Sequence, residues 1–406
     1  ERGTRRLHPQ RHALHRQLTA AWTARPVLPT VVVHDPVAVV DHQRFARDRR
    51  VSAIMIKILV GRWSRRPPVP HHDAPKGTDM DHVTIGSTGV RVSPLCLGTM
   101  TFGSEADEQT SAALFHRARD RGVNFFDTAD LYGQGRAEEI LGGLIHGSRD
   151  ELVITSKAFF PVGRDVNAQG MSRRHLMRAV EHSLRRLGTD RIDFYFVHAF
   201  DDHTSIGQTL RALDDLQRQG KIVYSAVSNW AAWQIATALG ISAREQLARF
   251  ELVQPMYNLV KRQAEVEILP LAAAEHLGVI TYSPLAAGLL TGKYRSGLRP
   301  AGGRLVENPR YADRYGSDSY VETADRFTAY AEGIGVRPAT LAVAWAMTHP
   351  AVTAPIVGAR DLAQLEDSLA ALGLGLTPDQ RDEVSALAPS PPPATDRSEA
   401  GTHGWP

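Results

Sequence analysis

The chain has 406 residues, 43% of them hydrophobic, so it can bury a large core as one big domain or two ordinary ones. The single cysteine, Cys96, excludes an internal disulfide and is typical of a reducing cytosol. No segment reaches the roughly 18 uninterrupted apolar residues of a membrane span, and residues 1–30 lack the order of a signal peptide. The composition therefore predicts a cytoplasmic protein with no membrane partner.

The positive charge of the chain lies at its amino-terminal end. Residues 1–79 hold 13 Arg and 2 Lys against 6 acidic residues, a net charge of +9. Because the whole chain carries +3, the remaining residues carry −6. The main body is mildly acidic, so we expect it to bind no nucleic acid.

Three segments differ in composition. Residues 1–79 are rich in Arg, His and Pro without a sustained period, and are predicted to be a disordered basic extension or non-native sequence upstream of Met80. A basic arm for nucleic acid or an anionic surface is the alternative, although aromatic residues are not interleaved with the charges. Residues 80–388 are predicted to form one domain, and 389–406 a disordered Pro-rich tail.

From Val83 onward, short apolar runs alternate with helical stretches of ten residues or more. The predicted strands are 95–97, 123–126, 152–155, 192–197, 222–227, 250–253, 279–282 and 352–357. The predicted helices are 109–121, 137–146, 172–187, 205–219, 231–239, 265–277, 320–333, 338–348 and 362–372, with a long loop after the seventh strand. Four glycines are expected to cap helices in a left-handed conformation just before a strand: Gly122, Gly188, Gly220 and Gly278.

Repetition of eight such units predicts an α/β fold, a single TIM-type (β/α)8 barrel. An open sheet that binds a dinucleotide should carry Gly-x-Gly-x-x-Gly after its first strand. Here the first strand is followed by Gly98-Thr99-Met100-Thr101-Phe102-Gly103, which does not match. The closed barrel is therefore favoured over the open sheet.

Polar residues stand where the predicted strands end, which in a barrel is the active-site end. Asp127, Lys157 and His198 end the second, third and fourth strands, and Tyr132 lies in the loop after the second. A carbonyl that accepts a hydride needs a proton on its oxygen, and a free tyrosine, with a pKa near ~10, is a poor acid at neutral pH. Lys157 is expected to lower that pKa, Asp127 to hold Lys157 charged, and His198 to bind the substrate oxygen.

Each of these residues also has a structural explanation. Asp127 and Lys157 can form an ordinary ion pair at the barrel rim, and an isolated histidine such as His198 is more often a core residue than a catalytic one. The convergence of all four side chains on one rim favours the catalytic interpretation. The histidines at 71 and 72 lack metal-ligand spacing, so no metal site is predicted.

Several motifs in combination resemble the aldo-keto reductase family over residues 83–388. They are Phe126-Asp127-Thr128-Ala129-Asp130-Leu131-Tyr132-Gly133, Thr155-Ser156-Lys157, Val197-His198, Val227-Ser228-Asn229, Gln254, Ser283-Pro284-Leu285, Gly292-Lys293-Tyr294 and Ile356-Val357-Gly358-Ala359-Arg360. The sequence looks most similar to bacterial aryl-alcohol dehydrogenase-like or nucleotide-hexose reductase-like members. The resemblance implies NADPH-dependent reduction of an aldehyde or ketone, with Asp127, Tyr132 and Lys157 joined by His198 in the catalytic tetrad.

The resemblance also implies the cofactor contacts of NADP(H). Gln254 would bind the nicotinamide carboxamide, Tyr282 would stack on the nicotinamide ring, and Arg360 suits a 2′-phosphate. The full implied set is Thr99, Ser228, Asn229, Gln254, Tyr282, Ser283, Pro284, Leu285, Gly288, Lys293, Gly358, Arg360, Gln364 and Asp367. Ser368 stands where relatives often carry Asn near the adenine.

Two other functions fit the same motifs. The stretch from Gly170 to Asp190 is similar both to reductases of nucleotide-linked deoxysugars and to aryl-alcohol dehydrogenases. A nicotinamide-binding regulatory subunit, like the potassium-channel β subunits, shares the barrel and keeps the tetrad. The predicted partner is a small carbonyl compound, while the physiological substrate, the oligomeric state and the direction of the reaction stay open.

Overall fold

The computed structural model describes residues 80–295, 300 and 302–395. Every described residue belongs to one compact unit, Pro75–Pro406. The predicted extension at 1–79 and the end of the predicted tail, 396–406, lie outside the described residues.

A two-stranded antiparallel hairpin, β1 (Val83–Thr84) and β2 (Arg91–Val92), precedes a closed barrel of eight strands. All neighbouring barrel strands pair in parallel, and β10 closes the ring by pairing with both β3 and β9. The barrel strands are β3 (Cys96–Gly98), β4 (Phe125–Asp127), β5 (Val153–Ala158), β6 (Ile192–Val197), β7 (Ile222–Ser228), β8 (Phe250–Gln254), β9 (Gly278–Thr281) and β10 (Ala354–Val357). The predicted (β/α)8 barrel is confirmed.

Helices follow each barrel strand in turn. They are α1 (Glu108–Asp120), α2 (Arg136–Ile145), α3 (Arg173–Leu187), α4 (Ile206–Arg218), α5 (Ala232–Glu245), α6 (Ile268–Ala274), α7 (Arg304–Glu307), α8 (Pro309–Tyr315), α9 (Asp318–Gly333), α10 (Pro338–Met347), α11 (Leu362–Leu369) and α12 (Pro378–Ser385). The predicted helices are present within a few residues, except that α5 is longer and α6 shorter than expected. The connection after β9 contains two short helices, α7 and α8, where the sequence pattern predicted only a loop.

The alternation of side chains along each strand divides the core into two layers. In β6, Phe194 and Phe196 belong to a small cluster inside the barrel, while Tyr195 and Val197 belong to the larger layer beneath the helices. Val92 of β2 and Ile85, which directly follows β1, also belong to the inner cluster. The interior of the barrel is therefore packed with side chains, and chemistry is left to its rims.

Three of the four predicted glycine caps are confirmed. Gly122, Gly188 and Gly220 have φ angles of 82°, 61° and 71°. The prediction for Gly278 is wrong, because that residue begins β9 and His276, with φ 54°, takes the left-handed position instead. Gly278 is small for a different reason, since a Cβ there would collide with Ile85 of the barrel floor.

Two adjacent glycines in α2 give a matched test of the packing between α2 and α3. A Cβ at buried Gly142 would lie 2.5 Å from the carbonyl oxygen of Arg186 and 2.8 Å from the backbone of Leu187. A Cβ at exposed Gly143 would meet nothing within 4 Å. We expect Gly142→Ala to lower the free energy of unfolding by about 1–3 kcal/mol.

Gly143→Ala is expected to raise the free energy of unfolding by about 0.5–1 kcal/mol, because alanine restricts the unfolded chain and favours helix. Denaturant unfolding of both variants measures the two changes. Changes of the same sign and size would contradict the close approach of α2 to the end of α3.

Candidate active site

The four predicted catalytic residues lie together at the carboxyl end of the barrel. Asp127 ends β4, Lys157 lies near the end of β5, and His198 directly follows β6. Tyr132 begins the 3-10 turn Tyr132–Gly135 that connects β4 to α2. Parallel pairing of β4, β5 and β6 brings these ends side by side.

A buried ion pair joins Asp127 and Lys157. The Nζ of Lys157 lies 2.6 Å from Oδ2 of Asp127 and donates a second hydrogen bond, of 2.7 Å, to the carbonyl oxygen of Thr128. The other carboxylate oxygen, Oδ1, accepts from the hydroxyl of Thr155 at 2.6 Å and the amide of Gln254 at 3.0 Å. Both side chains are almost fully buried, so the pair is stable only because its polar atoms are matched this completely.

The charges around Lys157 keep it protonated. Burial by itself would lower the pKa of Lys157, but Asp127 and the Tyr132 hydroxyl raise that pKa above its ordinary value. An ammonium group is therefore fixed at the base of the site at neutral pH.

The hydroxyl of Tyr132 lies 3.5 Å from Nζ of Lys157. The prediction that Lys157 gives Tyr132 a pKa below its ordinary value is wrong in its net direction. Burial raises the pKa of Tyr132, and Lys157 only partly opposes that effect. Tyr132 therefore stays protonated at neutral pH, as a phenol held next to a cation.

His198 is 8% exposed and faces Tyr132, with ring centroids 6.2 Å apart, and Phe160, with centroids 5.1 Å apart. Burial and, secondarily, Lys157 hold the pKa of His198 well below its usual range. Its Nδ1 has no hydrogen-bond partner among residues 80–295, 300 and 302–395. The imidazole is consequently neutral. The sequence places Phe160 in a loop at the site end but does not show which way its ring faces, so Phe160 is not among the predicted site residues.

The residues predicted to meet the nicotinamide form a continuous patch beside His198. Asn229 has a φ of 58°, donates from Nδ2 to the His198 carbonyl oxygen at 2.9 Å, and accepts from the Tyr282 hydroxyl at 2.7 Å. Ser228 donates to the Gln254 carbonyl oxygen at 2.9 Å. Because the Gln254 side chain also bonds Asp127, the patch is joined directly to the buried ion pair.

Thr99 supports this patch from the neighbouring strand end. It is fully buried, and its hydroxyl donates to the carbonyl oxygen of Asp127 at 3.2 Å. Its hydroxyl is thus already bonded to the backbone of the site.

The next predicted group follows β9. Ser283 has a φ of 61°, and Pro284 and Leu285 lead into the 3-10 turn Ala286–Thr291. Gly288 in that turn has a φ of 93°, and a Cβ there would lie 2.9 Å from Cε of Lys293. The Lys293 side chain therefore lies over this turn, in space that only a glycine at position 288 leaves free.

Three cations and two carboxylates meet at the far side of the mouth. Glu105 is shared by Arg304, at 2.9 Å, and Arg360, at 2.7 Å, and Glu307 lies 3.5 Å from Arg360. Burial, followed by the charges of Arg360 and Arg304, lowers the pKa of Lys293. The amine of Lys293 therefore lies within the electrostatic field of these two arginines. The group carries more positive than negative charge, which suits a phosphate.

The adenosine residues are only partly brought together. Gln364 accepts from the backbone N–H of Arg360 at 3.2 Å, and Gly358 is exposed beside them. The carboxylate of Asp367 instead pairs with Arg337, the residue that precedes α10, at 3.0 Å. The structure thus places Asp367 at a helix contact rather than next to Arg360.

A second buried carboxylate cluster lies behind the tetrad, and no pattern in the sequence indicates it. Glu138 of α2 is fully buried and accepts from Ser156 Oγ at 2.5 Å and Arg186 Nε at 2.7 Å. Asp130 lies beside it, and burial followed by the charge of Glu138 raises the pKa of Asp130 to about 8. Two acidic residues eight positions apart show their proximity only after the turn between them is known.

No helix in the described part of the chain is long and apolar enough to cross a membrane. Within those residues, no group of three or more His, Cys, Asp or Glu side chains could hold a metal ion.

Asp130 makes stability depend on pH in a defined direction. An unfolded aspartate ionises near a pKa of about 3.9, whereas Asp130 in the fold has a pKa of about 8. Between these values the folded state binds more protons, so stability contributed by Asp130 is present at low pH and is lost as pH rises to about 8. We expect Asp130→Asn to reduce the fall in melting temperature between pH 5 and pH 9.

The control is Asp202→Asn, a change at an exposed residue, which should keep the wild-type slope. Thermal unfolding of the three proteins over this pH range measures the slopes. An Asp130→Asn slope equal to that of wild type would contradict the raised pKa.

Comparison with known proteins agrees with this geometry. The model of the Aldo/keto reductase family matches residues 94–389. A "Probable voltage-gated potassium channel subunit beta" of Oryza sativa subsp. japonica is 37% identical over 78% of this chain and 99% of its own length. The "Uncharacterized oxidoreductase YrpG" of Bacillus subtilis (strain 168) is 34% identical over 77% and 97%, and the "Versiconal hemiacetal acetate reductase" of Aspergillus parasiticus 32% over 74% and 95%. With its barrel, its rim of polar residues and these matches, the chain belongs to the aldo/keto reductase family.

Proposed function

We propose that this protein is an NADP(H)-dependent oxidoreductase that reduces an aldehyde or ketone to an alcohol, with Tyr132 as the general acid. The observation that carries the proposal is the position of the Lys157 ammonium between the buried carboxylate of Asp127 and the phenol of Tyr132. The named oxidoreductases among the relatives support it.

The reaction needs a hydride, which the nicotinamide cofactor supplies when bound. Tyr132 donates its phenolic proton to the carbonyl oxygen as negative charge develops there. The neutral imidazole of His198 orients that oxygen. The phenolate left behind is stabilised by Lys157, whose charge Asp127 maintains in surroundings from which water is largely excluded.

The groups along the mouth fit the parts of NADP(H) in order. Asn229 and Gln254 offer amides to the carboxamide, and the Tyr282 ring suits the nicotinamide face. Lys293, beside Gly288, suits the pyrophosphate. Arg360 suits the 2′-phosphate, because a phosphate can take the positions that Glu105 and Glu307 take on this guanidinium.

The role of Tyr132 is tested with Tyr132→Phe. Removal of the acid is expected to lower kcat for reduction of 4-nitrobenzaldehyde by NADPH about 10²- to 10⁴-fold. NADPH binding, followed by fluorescence, should stay near the wild-type value because the phenol is not among the proposed cofactor contacts.

The matched control is Tyr330→Phe in α9. This change removes a surface hydroxyl that donates a hydrogen bond to Glu383, and it should leave kcat unchanged. Full turnover by a folded Tyr132→Phe variant would rule out Tyr132 as the acid.

Cofactor preference is tested with Arg360→Gln. Loss of a charge-assisted contact to the 2′-phosphate is expected to raise the Kd of NADPH about tenfold or more. NADH lacks that phosphate and is the internal control, so its Kd should change little. Equal weakening of both cofactors would show that Arg360 acts on the fold rather than on the phosphate.

A second candidate function is a nicotinamide-binding regulatory subunit, favoured by the rice relative that matches over 99% of its length. Tight NADPH binding without turnover of any carbonyl, together with a protein partner that co-purifies, would favour it over the enzyme.

A further inference from the structure

The short helix α8 (Pro309–Tyr315) is fixed over the nicotinamide side of the mouth. The hydroxyl of Tyr315 accepts from Nδ2 of Asn258 at 3.2 Å, and the same amide donates to the carbonyl oxygen of Ser283 at 2.9 Å. The end of α8 is thereby held against the strand ends that carry Tyr282. Arg314, the residue before this anchor, has a defined place beside the site.

Arg314 and Tyr311 form one surface on this helix. The guanidinium of Arg314 stacks over the Tyr311 ring, 5.5 Å from its centroid. Burial is the main cause that raises the pKa values of Tyr132 and Tyr282, and the Tyr311 hydroxyl adds to both. Tyr311 therefore acts electrostatically on both the proposed acid and the proposed nicotinamide platform.

Arg314 makes no ion pair with any residue that the structure describes. Within residues 80–295, 300 and 302–395, its guanidinium lies over the Tyr311 ring, whereas Arg304 and Arg360 both bind Glu105. Arg314 is nevertheless partly buried. Its field reaches the mouth: burial raises the pKa of Tyr282 to about 12, and Arg314 is the leading charge that opposes this rise. A partly buried cation without a partner favours an anion at that position.

Arg314 shares the Tyr311 ring with Arg304, whose guanidinium lies 5.8 Å from its centroid, but the two cations act on different groups. The charges that act on Lys293 are those of Arg360, Arg304 and Glu307. Arg314 acts instead on Tyr282, at the end of the mouth where the carbonyl would lie. An anion that binds Arg314 is therefore expected on the substrate side of the mouth.

We propose that the carbonyl substrate carries an anionic group, a carboxylate or a phosphate, which binds Arg314 while its carbonyl oxygen faces Tyr132. The proposal rests on the proposed function, since it names the substrate class of that same site. Stacking on Tyr311 holds the guanidinium plane, so that its N–H groups are presented to the anion in a fixed direction. Arg314 is thus a specificity-determining residue.

The test compares 4-carboxybenzaldehyde with its neutral methyl ester, methyl 4-formylbenzoate, in NADPH-dependent reduction. Wild type should prefer the carboxylate. Arg314→Gln should lower kcat/KM for the carboxylate about tenfold or more, chiefly through KM, and change the ester by less than about twofold. Arg310→Gln, an exposed change on the same helix, should alter neither.

Equal kcat/KM values for acid and ester in wild type, or equal losses of both in Arg314→Gln, would overturn the proposal. Glyceraldehyde and glyceraldehyde 3-phosphate form a second pair, which tells a phosphate requirement from a carboxylate requirement. A preference for either anion that depends on Arg314 supports the proposal.

Failure of the proposed function has a different signature. If no carbonyl compound is reduced, binding of benzoate and of benzamide to the protein mixed with NADP⁺ is measured by calorimetry. Benzoate binding that Arg314→Gln abolishes and Arg310→Gln keeps would support the anion site without any turnover. Equal binding of benzoate to all three proteins, or loss of NADP⁺ binding itself in Arg314→Gln, would overturn it.

Discussion

The buried ion pair of Asp127 and Lys157 is the interaction on which the rest of the site depends. Each partner alone would be a charge removed from water at high cost, so the surroundings must satisfy every polar atom of both. Thr155 and Gln254 complete the carboxylate from two different strands. The same bonds that stabilise the pair fix the distance from Lys157 to Tyr132.

Strand β5 connects this pair to the second carboxylate cluster. Successive side chains of a strand point to opposite sides, so Lys157 faces the barrel axis and Ser156 faces the helices. Ser156 binds Glu138, which Arg186 neutralises. One strand is therefore held by carboxylates on both sides, and the ammonium is positioned by groups that never touch the mouth.

The local sequence was sufficient for the barrel, because apolar runs and helical periods are properties of neighbouring residues. It also placed the tetrad, since strand ends in a barrel share one rim. It could not give the sign of the net pKa shift of Tyr132, which depends on how much water the folded site excludes. Nor could it find Glu105, whose partners Arg304 and Arg360 lie 199 and 255 residues away along the chain.

The packed interior of the barrel limits the routes by which protons can reach Tyr132. Phe194 and Phe196 fill the space below the tetrad, and Ile85 and Val92 close the floor. Given this packing of the described residues, bulk water can return a proton to the hydroxyl of Tyr132 only through the mouth of the barrel. A reactant enters through the same opening. A molecule that fills this opening separates the Tyr132 hydroxyl from solvent, so any proton that this hydroxyl gives up can be restored only after the molecule leaves.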